Sequence, residues 1–120
     1  MKPDALLAFA HTLAAGPTAD EPHWREAVIV AHRAVHHLVA AHLGLDPATF
    51  AGTPRAVREA LAMIDPTLAP TFIRVARRHF TTNWIAAERA AQSATPVGPR
   101  DAALALAYAD AVLAARAAAN

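Results

Sequence analysis

The chain has 120 residues, 55% hydrophobic and 6% aromatic, with eleven Lys and Arg against ten Asp and Glu, a formal charge of +1. That length suits one domain, residues 1–120, and the near-neutral balance excludes a global field that would draw nucleic acid or a membrane, so such contacts must come from local clusters. The absence of cysteine excludes a disulfide framework, a thiolate nucleophile and any sulfur-ligated zinc site, and without a signal-peptide pattern at the N-terminus the expected location is cytoplasmic.

Proline and glycine divide the chain into segments of helical periodicity, and no segment alternates as a strand would. The first helix is expected from Asp4 to about Ala15, with Leu6, Phe9, Ala10 and Leu13 on one face and Gly16-Pro17 closing it. Asp20 and Pro22 then open a long helix that runs to Leu43, with Gly44 placed as its left-handed terminator. Trp24, Ala27, Val28, Ala31, Val35, Leu38 and Val39 form its main stripe, and Ile29, Val30 and Ala40 extend the apolar surface around the cylinder. A helix apolar on several sides is either the centre of a bundle or packs its outer face on a second copy of the chain. The run from Ala27 to Leu43 holds four histidines and Arg33, too polar for a bilayer span of about 20 apolar residues.

Asp46-Pro47 and Thr53-Pro54 each pair a capping residue with a proline, predicting a short turn around Phe50 and a helix from about Pro54 to Ile64. Asp65-Pro66 and Pro70 stop that helix and open the next, in which Phe72, Val75, Ala76, Phe80 and Trp84 keep the register, with a weak spot at Thr81-Thr82-Asn83. Ser93 to Pro99 reads as a loop. The last helix runs from about Arg100 to Ala118, with Leu104, Ala107, Tyr108, Ala111 and Ala115 on its stripe and Leu106, Val112 and Leu113 beside it. The expected architecture is all-α, an up-and-down bundle of four main helices plus short helical pieces.

Two clusters carry chemistry. His32 and His36 are four apart, a spacing that places two imidazoles on one helical face as candidate metal ligands, but no HxxxE or ExxH pair supplies a third ligand, and backbone-bonded interface histidines explain the pattern with less. No metal or other cofactor is therefore expected. Arg74, Arg77 and Arg78 stand at i, i+3 and i+4 ahead of His79, so a helix gathers three guanidinium groups that either hold a phosphate or form a solvated face. Nucleophilic catalysis has no motif here: GxSxG and GxxxxGK[ST] are absent, and Ser93 is the only serine.

The segment REAVIVAHRAVHHL, Arg25 to Leu38, resembles the signature helix of HEPN-domain proteins, written approximately RRAVSRAYYAVFHAL. Arg25, Ala27, Val28, Ala31, Ala34 and His37 fall on matching positions, while Ile29-Val30 replace Ser-Arg, His32-Arg33 replace the two tyrosines and His36 replaces phenylalanine. Downstream, Arg74 to His79 is similar to the shortest form of the family's arginine-histidine motif. Over an unbroken helix, however, five positions turn by about 140° and separate those side chains unless the helix distorts or a dimer supplies one of them. Alternatively Arg78-His79 matches the RH of the variant motif RHxADY, with Asn83-Trp84 resembling its Asp-Tyr one residue late.

The resemblance implies a four- to five-helix bundle that dimerises and acts on or binds RNA or a nucleotide, as a metal-independent ribonuclease in a toxin-antitoxin or defence system. A nucleotidyltransferase-type protein is an implied partner. It assigns catalysis to Arg74, Arg78 and His79, with Arg33, His37, Arg77, Asn83 and Trp84 as ligand-binding residues. The alternatives are a catalytically silent bundle that binds the product of a neighbouring gene, and a histidine-dependent metal-binding bundle.

Overall fold

The computed structural model describes residues 2–70 and 96–119, and among them every regular element is helical. The helices are α1 (Pro3–Ala15), α2 (Glu21–His42), α3 (Pro54–Ile64) and α4 (Pro99–Ala119). The predicted helix after Pro70, with Thr81 to Asn83 as its weak spot, lies outside the described residues, apart from a helical turn at 68–70.

Local chemistry accounts for the boundaries. Gly16 ends α1 with extended backbone, φ −62° and ψ 140°, as a residue before proline must. Asp20 is the N-cap of α2 by backbone, but its carboxylate does not cap: it accepts from His23 Nδ1 at 2.7 Å, because a histidine one turn on outcompetes the amides. That bond holds the Asp20 carboxyl below its usual range. At the other end Gly44 has φ +70°. The Gly44 N–H donates to the Ala41 carbonyl at 3.1 Å and the Leu45 N–H to the Ala40 carbonyl at 2.8 Å, the Schellman pairing that satisfies the last carbonyls and needs a left-handed residue at this point.

Thr53 caps α3, its hydroxyl accepting from the Ala56 N–H at 3.3 Å. Asp65 closes the helix and accepts from the Thr67 N–H and hydroxyl at 2.9 and 2.8 Å, which lowers its carboxyl below the ordinary value. At the start of α4 the Gly98 N–H donates to Asp101 at 2.9 Å, half of a capping box.

The two longest helices, α2 and α4, pack on each other; α1 and α3 each touch both and do not touch one another. They therefore occupy different grooves of the central pair. Between Ala27 and Ala40 every residue of α2 is buried except Arg33 and His37, which are half-buried. Ile29, Val30, Val35 and Val39 all lie at 2% exposure or less, and removing side chains of that size from water stabilises by roughly 1.5–3 kcal/mol each. This burial is complete within one chain, so α2 is the bundle's central helix and its apolar circumference does not require a second copy.

Two faces differ from expectation. On α1, Leu6, Leu7 and Ala10 are buried while Phe9 is 48% exposed, so Leu7 takes the place expected of Phe9. On α4 the buried stripe is Ala102, Ala105, Leu106, Tyr108, Ala109 and Val112, whereas Ala107 and Ala111 face solvent. An alanine-rich helix carries too little contrast between its sides for periodicity to choose a face. Alanine at Ala102, Ala105 and Ala109 lets α4 approach its neighbours closely.

Candidate functional site

The middle of α2 holds the candidate residues that can be placed. Arg33 and His37 are one helical turn apart and therefore share a flank, where they form the one polar opening between Ala27 and Ala40. A guanidinium and an imidazole so placed can together hold an anionic oxygen, the first as a planar donor fork and the second as a hydrogen-bond partner.

His32 and His36 lie on the adjacent, buried side, at 8% and 2% exposure. The His36 Nε2–H donates to the Pro47 carbonyl at 3.1 Å, and its ring stacks on Phe50 with centroids 5.1 Å apart and planes 22° apart. His36 thereby fastens the turn after α2, built on Asp46, to the helix: Asp46 accepts from the Ala48 N–H at 2.9 Å and its carbonyl from Phe50 at 3.0 Å. Burial pushes the His32 imidazole down to about 3, with His36 adding a smaller repulsive contribution, so it is neutral at physiological pH. A neutral imidazole is the form that ligates metal, but His36 Nε2 is committed to Pro47. Among the described residues no group of three or more His, Cys, Asp or Glu side chains could hold a metal ion.

Arg25, near the start of α2, has a positioning task. It grips Glu21 through Nε at 3.0 and 3.1 Å and Nη2 at 2.8 Å. Glu21 also accepts from the Val97 N–H at 3.2 Å, across 76 residues of sequence, and the Arg25 bonds are the main reason its carboxyl lies below the usual range. The first turn of α2 is thus tied to the strand of loop that leads into α4. The Glu21-Arg25 spacing is visible in the sequence as an i, i+4 pair; the contact to Val97 is not.

A second long-range pair joins α1 to α4: the His11 Nε2–H donates to both Asp110 oxygens at 2.9 and 3.0 Å, 99 residues apart. No local spacing signals it. Arg74, Arg77, Arg78, His79, Asn83 and Trp84 lie outside the described residues, and with them the choice between the two arginine-histidine alignments. No protein-family model, curated protein or solved structure matches the chain. Among the described residues no helix is long and apolar enough to cross a membrane.

Proposed function

We propose that the chain is a HEPN-like up-and-down helical bundle that binds RNA or a nucleotide as a cytoplasmic homodimer. The observation that carries this reading is the opening at Arg33 and His37. The helix that resembles the family's signature is the buried centre of the bundle, and along its buried length the two polar residues that reach solvent are a cation and an imidazole one turn apart. Such a pair suits a phosphate oxygen, and the near-zero net charge makes recognition depend on it rather than on a general field.

In the catalytic form of the proposal, Arg74 or Arg78 stabilises charge on the phosphate, His79 moves the proton, and Arg77, Asn83 and Trp84 line the substrate; no metal takes part. A nucleotidyltransferase-type partner fits the same toxin-antitoxin or defence setting. The test is purified protein with labelled RNA, wild type beside Arg33→Ala and His79→Ala. Binding is expected to weaken about tenfold in Arg33→Ala, in line with loss of a charge-assisted hydrogen bond, and to show the salt dependence of phosphate contacts. Cleavage is expected to vanish in His79→Ala. Unchanged affinity in Arg33→Ala sinks the binding reading, and equal cleavage, or none, in wild type and His79→Ala sinks the nuclease form.

A further inference from the structure

A cavity of about 200 Å³ opens where the end of α1, the first turns of α2 and the start of α4 meet. Its walls are small or apolar, among them Ala15, Trp24, Ala102, Ala103 and Leu106, and one titratable side chain, His11, lines it. We propose that this cavity is a binding site for a neutral single-ring aromatic molecule carrying one O–H or N–H, with the ring among the alanines and Trp24 and the donor on His11 Nδ1.

Size, shape and polarity each narrow the ligand. An enclosed apolar cavity of about 150 Å³ accommodates benzene; this hollow of about 200 Å³, open to solvent at His11, Ala15, Pro99 and Ala103, has room for a single ring and one substituent. Four alanines, Pro99 and Leu106 supply apolar contact without a specific partner, and the half-buried Trp24 supplies a ring for edge or offset stacking. The polar end is set by α4. Both Asp110 oxygens accept from His11 Nε2, which orients the ring and commits the Nε2–H to α4. In the tautomer with a single proton, on Nε2, Nδ1 is the acceptor. A ligand that donates one hydrogen bond satisfies it, whereas an anionic ligand meets the Asp110 carboxylate behind the ring. This site shares no residue with the Arg33 and His37 opening and does not depend on the proposed function.

The experiment titrates the full chain with phenol and with toluene, followed by amide chemical-shift mapping and calorimetry. Phenol is expected to saturate at about millimolar concentration, with shifts centred on Ala14, Trp24 and Ala103, and to bind roughly five- to tenfold more tightly than toluene through the one added hydrogen bond. His11→Phe is expected to abolish that preference. Ala103→Leu and Ala15→Leu, both at exposed helical positions, are expected to weaken phenol at least tenfold while leaving the circular dichroism unchanged. Non-saturating phenol, shifts centred away from the cavity on the wild-type protein, or equal phenol and toluene affinities overturn the proposal.

Discussion

Two flanks of the middle of α2 carry similar residues to opposite fates. His32 and His36 are buried, one neutral by desolvation and the other bonded to Pro47 and stacked on Phe50. Arg33 and His37, each one residue further on, reach the surface. One residue of a helix is about 100° of rotation, and that step separates sealed side chains from ones that reach solvent. A histidine-rich run on a central helix is therefore two sets with different surroundings. His36 fastens the turn after α2 to the helix, and Arg33 and His37 reach solvent on the other flank.

The largest expected effect breaks the comparison from the buried side. The native state keeps His32 neutral down to about 3, whereas the unfolded chain protonates it near the ordinary 6.5. Between those values the unfolded state binds one more proton, so this residue's contribution is present above about 6.5 and is lost as pH falls toward 3. Urea denaturation at pH 7 and pH 4 is expected to show wild type losing ~3 kcal/mol more than His32→Leu; parallel losses would show that His32 is not held neutral.

A smaller effect is expected at His36. Replacing it with leucine removes the bond to Pro47 and the stacking on Phe50, and is expected to cost about 1–2 kcal/mol. Hydrogen exchange should accelerate at the amides of Thr49 and Phe50, in the turn after α2, before it does in α2 itself. Uniform acceleration along the helix would instead make His36 an ordinary core residue.

The smallest effect on stability is expected on the other flank. Arg33→Ala should change the unfolding free energy by less than about 1 kcal/mol, as the loss of a solvent-reaching charged side chain does, while it weakens RNA binding as described above. A stability loss comparable with that of His36→Leu would erase the distinction between the flanks.

Much of the helical layout was legible. The Gly44 terminator, the Thr53 cap, the Asp65 stop and the α3 boundaries follow from residues within a few positions of one another, and local hydrogen bonds decide them. The central place of α2 was legible as one of two alternatives, because Val28, Ile29, Val30 and Ala31 in succession cover too much of the circumference for a surface helix. The inward face of α4 was not legible, since Ala107 and Ala105 are chemically the same and differ only in which neighbour stands opposite. Phe9 misled for a related reason: size marks it as core, but Leu7 occupies the groove.

The candidate site was legible only as a list. Sequence identified Arg33, His37, His32 and His36 but could not sort them, because burial on a helix surrounded by neighbours is set by where the neighbours leave a gap. The bonds from Val97 to Glu21 and from His11 to Asp110 were invisible for the same reason, since they join residues 76 and 99 positions apart.

By itself the sequence determined that the described elements are helices, where they start and stop, and that the longest of them is unusually apolar, since propensity, capping and periodicity act over four or five residues. The tertiary structure decided which flank of that helix is sealed and which is open, and that α1, α2 and α4 leave a hollow beside His11. Those outcomes depend on the packing of distant segments, and packing is a property of surfaces meeting in space.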